Sequence, residues 1–198
     1  LSQLFLDTEF TGLHQHARLI SLALVPNEGP WFYAVFDDVD KGGLTEWHQS
    51  HVVPHLELTE AQLETLGPGT YLVEDTSVIV AALRDYLASF ETIEMWADVP
   101  AYDWVLFCEL FGGALQLPRH VHYMVRDLAT LFEVKGYDID TDRFAFAYGG
   151  DAGATGTGDG RADLVGSPGA AKVAEGGLVR HNALGDALGG RACFKKLR

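Results

Sequence analysis

Residues 5–13 read Phe5-Leu6-Asp7-Thr8-Glu9-Phe10-Thr11-Gly12-Leu13, an apolar run that carries two carboxylates two positions apart at its end. Successive side chains of a β-strand point to opposite faces, so this spacing puts Asp7 and Glu9 on the same face. Two acids side by side repel. The repulsion is relieved most economically by a divalent cation that takes oxygen ligands. The stretch therefore reads as half of a metal site at the end of a strand. The same spacing is also met where a strand runs out into solvent, and other acids must decide between the two.

Further acids lie far along the chain. Residues 181–187, His181-Asn182-Ala183-Leu184-Gly185-Asp186-Ala187, lead into a helical pattern. If Asn182 or a neighbour caps that helix, Asp186 falls in its early turns facing the sheet. His181 then stays on the preceding segment, the geometry of a fixed ligand and a movable base. Residues 93–97 read as a short strand, followed by Asp98-Val99-Pro100-Ala101-Tyr102-Asp103 and an amphipathic helix that ends at Gly112. Asp103 suits the positive end of that helix as an ordinary N-terminal cap, and it suits equally a third acid of the site. Asp98 is the weaker candidate.

In this order, Asp7-x-Glu9, Asp103 ahead of Trp104-Val105-Leu106-Phe107, and His181 five before Asp186 resemble the DEDDh branch of the 3′-to-5′ exonucleases. That branch includes oligoribonuclease, ribonuclease T and the proofreading subunit of DNA polymerase. Position 182, four before the last acid, is Asn rather than Tyr, which selects the His branch over the Tyr branch. Trp47 with His51-Val52-Val53-Pro54-His55-Leu56, and Met95-Trp96-Ala97 ahead of Tyr102-Asp103, are most similar to a compact actinobacterial and phage-type exoribonuclease group.

The resemblance implies an α/β, ribonuclease H-like fold, a mixed sheet of five to six strands with helices on both faces. It implies two Mg²⁺ or Mn²⁺ ions held by Asp7, Glu9, Asp103 and Asp186, with His181 as general base. Imidazole titrates near neutral pH, which suits it to take a proton from the attacking water. The product would be a nucleoside 5′-monophosphate, released from RNA 3′ ends or short oligoribonucleotides. A DNA exonuclease of proofreading or repair, or a non-catalytic nucleic-acid-binding module, would carry the same motifs. The resemblance also lays Phe10, Thr11, Gly12 and Leu13 against the terminal nucleotide, with Gly12 admitting the backbone and Leu13 wedging beside a base. The plainer alternative has Gly12 making a turn and Leu13 filling the edge of the core. Trp96, Tyr102 and Trp104 fit base stacking or core packing. The remaining histidines, His14, His16, His48, His51, His55, His120 and His122, are expected to be exposed and non-catalytic. A homodimer is implied by the family alone.

Composition bounds the rest. A chain of 198 residues, 47% apolar, suits one domain, residues 1–198, with a substantial core, and no long uncharged apolar run suggests a membrane span. A net charge of −14 opposes tight binding to long duplexes, because nucleic-acid binders displace counterions with a basic face. Cations at the four acids would cancel their charge locally, which fits short single strands bound through metal and stacking. Cys108 and Cys193 match no zinc spacing and read as buried free thiols in a reducing cytoplasm. The first motif begins only a few residues into the sequence, leaving no room for a signal peptide, so a cytoplasmic location is expected. Arg191, Lys195, Lys196 and Arg198 suit the negative end of a closing helix.

Strand-like runs at 4–9, 18–25 and 31–36 predict an antiparallel meander, with further strands at 93–97 and 121–125. Helical periodicity covers 44–55, 76–89 behind a Thr76-Ser77 cap with Val80, Leu83 and Leu87 inward, 102–111, 127–133 and 184–196. Residues 149–177, rich in Gly and Ala, predict a loop or insertion ahead of His181, either a lid over the substrate or a bland insertion.

Overall fold

A computed structural model of the chain describes residues 1–149 and 175–198, so most of the expected 149–177 loop lies outside the described residues. The first strand, β1 (Ser2–Phe10), lies inside a six-stranded sheet. On one side it pairs antiparallel with β2 (Leu19–Pro26), which pairs antiparallel with β3 (Trp31–Phe36), which pairs parallel with β4 (Gly69–Glu74). On its other side β1 pairs parallel with β5 (Ile93–Ala97), and β5 with the two-residue β6 (Arg126–Asp127). Every residue of β2 and β3 is buried, as central strands covered on both faces require.

Cross-strand register sorts the side chains into two faces. Leu6, Leu24 and Phe32 share one, where Phe32 meets Tyr86 of α3 (Thr76–Ala88) at a centroid distance of 5.2 Å. Phe5 and Val25, and further along Asp7, Ala23 and Tyr33, share the other. Phe5 packs there on Phe194 of α7 (Ala183–Leu197) at 5.2 Å. The expected mixed sheet with helices on both faces is what the chain adopts. None of the described helices is long and apolar enough to cross a membrane.

Several local expectations are corrected. The helix expected over 44–55 is confined to α1 (Glu46–His51), capped by Thr45, and gives way to a single 3₁₀ turn at Val53–His55 where Pro54 cannot continue an α-helix. The short α2 (Glu60–Leu66) and the strand β4 escape the sequence pattern. Pro68-Gly69 signals a turn, and β4 is an edge strand with no buried residue. Helix α3 is capped by Asp75, not Thr76-Ser77, and Ile79 rather than Val80 joins Leu83 and Leu87 in the core, a strict four-residue spacing. Of the strand expected at 121–125, only Val121 bridges to Ile93, and the last strand falls at Arg126–Asp127. Of three more helices, α4 (Ala101–Glu109) packs on β1, and α5 (Leu128–Val134) and α6 (Arg143–Tyr148) pack on α7.

Asn182 fixes where α7 meets the sheet. Its Oδ1 accepts from Gly185 N at 3.0 Å as the helix cap, and its Nδ2 donates to the Tyr33 hydroxyl at 3.2 Å and to the His55 carbonyl. The Tyr33 hydroxyl in turn donates to the Leu56 carbonyl at 2.7 Å. Loss of a cap costs about 1 kcal/mol, and polar groups left unpaired cost about 1–3 kcal/mol more. Asn182→Ala is therefore expected to destabilise the protein by about 2–4 kcal/mol in urea unfolding. An unchanged midpoint would show that α7 docks without this residue.

Candidate active site

The acids converge at the C-terminal end of β1. One carboxylate oxygen each from Asp7, Glu9 and Asp186 lies within 4.8 Å of the other two. Strand alternation delivers the first pair to the face covered by α7, and the Asn182 cap sets Asp186 in the first turn of that helix, where the positive helix end favours a carboxylate. The backbone N–H of His181 donates to Asp186 Oδ2 at 2.9 Å. Asp103 is a near neighbour outside this closest trio. It is the third residue of α4, past the cap position held by Pro100, which removes the reading of Asp103 as an ordinary N-cap. Its Oδ1 accepts from both the hydroxyl and the backbone N–H of Thr8, at 2.7 and 2.9 Å.

Packing like charges in a half-buried cleft resists ionisation. Burial, then Asp186, then Asp103 raise the carboxyls of Asp7 and Glu9 well above the usual range, and Asp7 is raised further by Glu9 itself. Asp186 is pushed up to about 7 by burial, against the lowering effects of the His181 N–H and the Arg180 charge. Asp103 reaches about 6, burial outweighing the two Thr8 donors. A set of oxygen donors in this condition fits a hard divalent cation, which would favour the ionised forms.

His181 adopts a left-handed backbone, φ 62°, uncommon for a non-glycine residue. Its main chain joins the acids, while its ring lies edge-on to Trp47 at 5.0 Å and to His51 at 6.2 Å. Burial, followed by the charges of Arg180, His51 and His55, lowers its pKa to about 4, so the ring is neutral at physiological pH. Trp47 stacks on His51 in turn, at 5.2 Å and 12°.

Along the 10–13 stretch, Phe10 stacks on Tyr102 at 5.6 Å, and the Thr11 N–H donates to the Arg18 carbonyl while its hydroxyl accepts from the Arg18 N–H, both at 3.0 Å. A Cβ on Gly12 would come within 3.0 Å of the His14 ring. Leu13 is 68% exposed, so it does not fill the core edge. Trp96 packs on Phe194 and Trp104 on Phe107, which makes both part of the core margin. Asp98 is taken by a two-point ion pair with Arg143, at 3.0 and 3.1 Å.

His48 is buried, contrary to the expectation of exposure, and His51, His55 and His120 are half-buried. His48 Nε2 donates to the Phe10 carbonyl at 3.0 Å, which leaves Nδ1 to accept from the Thr45 hydroxyl at 2.6 Å, so the residue ties α1 to the end of β1. The sequence offered no signal for Thr8, which alternation turns away from the acids, nor for Arg143. Both act through contacts between distant segments.

The family model described as 3′-5′ exoribonuclease Rv2179c-like domain matches residues 2–152, a span that contains Asp7, Glu9 and Asp103. Two similar proteins of Mycobacterium tuberculosis are 3′-5′ exoribonuclease Rv2179c of strain H37Rv and 3′-5′ exoribonuclease MT2234.1 of strain CDC 1551. Each is 33% identical over 134 residues, covering 67% of this chain and 74% of the relative. The chain belongs to the Rv2179c-like 3′-5′ exoribonuclease domain family.

Proposed function

We propose that this chain removes nucleoside 5′-monophosphates from the 3′ ends of RNA, with two Mg²⁺ or Mn²⁺ ions held by Asp7, Glu9, Asp103 and Asp186. The observation that carries the proposal is the convergence of three carboxylates, with Asp103 beside them, in a cleft that raises the pKa of all four. Held by these four carboxylates, divalent cations would supply Lewis acidity toward the attacking water and the scissile phosphate. Asp7, Glu9 and Asp186 form the tightest grouping of donor atoms, and Asp103 adds a fourth carboxylate from the β5 side.

His181 is the proposed base. Rotation of its side chain away from Trp47 and His51 brings the neutral imidazole toward the acids, whose negative charge raises its affinity for the proton it accepts. The exposed Leu13 and the Phe10–Tyr102 stack border the end of β1 and are the proposed contacts of the terminal nucleotide, together with Thr11 and Gly12. With a net charge of −14 the surface repels long polyanions, which favours short strands and 3′ ends. A homodimer and a cytoplasmic setting complete the proposal. Two buried free cysteines support a reducing compartment.

Oligomers of matched RNA and DNA, labelled at either end and incubated with Mg²⁺ or Mn²⁺, are expected to shorten from the 3′ end and to release 5′-monophosphates faster from RNA. Faster release from DNA would favour the repair reading, and no release from any short strand would favour a binding module. Asp7→Asn is expected to abolish release while raising the melting temperature of the metal-free protein, because it removes one repelling charge. His181→Ala is expected to slow turnover by about 10²- to 10⁴-fold.

The raised carboxyls also fix a pH dependence. An acid with a raised folded-state pKa gives stability that is full below its unfolded value, 3.8 for an aspartate, and lost as pH climbs through the folded value, about 6 for Asp103 and about 7 for Asp186. His181 acts in the opposite sense between about 4 and 6.5, but one imidazole is outweighed by four acids. Metal-free protein in chelator should therefore lose melting temperature from about pH 4 to about pH 7, and saturating Mn²⁺ should flatten that slope. A chelated profile that rises over the same range would contradict the acid cluster.

A further inference from the structure

Thr8 occupies the position between the two acids of β1 and faces the opposite side of the sheet, buried. The parallel pairing of β1 with β5 ends at Phe5 and Trp96, so no β5 residue pairs with the remainder of β1. Asp103 takes the place of a ladder partner there, accepting from the Thr8 N–H and hydroxyl on the single oxygen Oδ1. Asp7 and Glu9 feel the charge of Asp103, so the ionised carboxylates repel one another. Two donors converging on one oxygen hold the Asp103 carboxylate in place against that repulsion.

We infer that Thr8 is a positioning residue for Asp103: its hydroxyl fixes the carboxylate's orientation and commits Oδ1 to the protein, leaving Oδ2 as the oxygen available to a cation. The inference rests on the metal-dependent function proposed above and adds to it a residue that touches neither metal nor RNA. Thr8→Val keeps the shape and the backbone donor and removes only the hydroxyl. Thr8→Ser restores the hydroxyl.

Mn²⁺ titrations without substrate, followed by thermal melting and by calorimetry, separate the possibilities. Loss of one hydrogen bond to a charged group should raise the Mn²⁺ concentration needed for half-saturation about tenfold in Thr8→Val, and Thr8→Ser should stay within about twofold of the parent. In an Asp103→Asn background Thr8→Val should add less than about twofold, because its effect passes through that carboxylate. If Thr8→Val does not fold, Thr8→Ala takes its place in the same cycle with the same expectation. Parent-like Mn²⁺ binding by the hydroxyl-free variant, or its full effect persisting beside Asp103→Asn, would overturn the inference and leave the exonuclease reading standing. A parent protein that neither binds Mn²⁺ nor releases nucleotide would bring down both.

Discussion

Mutual repulsion among carboxylates at the end of β1 is the constraint around which the rest of the molecule is arranged. At separations of a few ångströms each ionised pair opposes folding by about 1–4 kcal/mol, depending on how far water screens it. A domain whose net stability is about 5–15 kcal/mol cannot carry several such pairs without compensation from elsewhere. Part of that compensation is the protonation of the acids themselves, visible in their raised pKa values, and part is the packing on either side. The apolar strands β2 and β3 are buried along their whole length, and they anchor the sheet in which β1 carries Asp7 and Glu9 at its C-terminal end.

Strain collects in the same region. His181 and Val99 are the non-glycine residues with positive φ among the described residues, at 62° and 49°. One precedes the Asn182 cap and the other precedes α4, so both lie where a segment turns sharply to deliver an acid. Val99 is held by a hydrogen bond from its N–H to Asp127 Oδ1, and His181 by its N–H to Asp186. Backbone of this kind costs about 1–3 kcal/mol per residue and persists only where surrounding contacts determine it. Here those contacts are the helix cap at Asp127, the acid at position 186 and the Tyr33–Asn182 link.

Much of this was legible in the chain because the acids sit on regular elements. Alternation alone put Asp7 and Glu9 on one face, and the Asn182 cap put Asp186 in the first turn of a helix. Those inferences need only the local periods of strand and helix. What the sequence could not reveal depends on partners distant along the chain. The edge strand β4 has no buried face to produce an apolar pattern, and His48 reads as a polar surface residue until β1 supplies the Phe10 carbonyl it bonds. The resting position of the His181 ring against Trp47, and the capture of Asp98 by Arg143, are likewise decided by tertiary packing.

The family match ends at residue 152, ahead of both His181 and Asp186, so the joining of α7 to the first motif has to be explained by this chain's own contacts. Sheet register provides the explanation. Asp7 stands opposite Ala23, and Ala23 opposite Tyr33, which places the Tyr33 ring on the acid face two strands away. Ala23 between them is small and fully buried where α7 packs on this face, and the Tyr33 hydroxyl reaches the amide that caps α7. Because side chains alternate with a period of two, a slip of one residue between β2 and β3 would turn Tyr33 to the α3 side and withdraw the hydroxyl from Asn182. The distance between Asp186 and the β1 acids is thus set by strand pairing as much as by any contact within the site. A cluster of acids assembled from separated segments inherits its precision from the sheet beneath it.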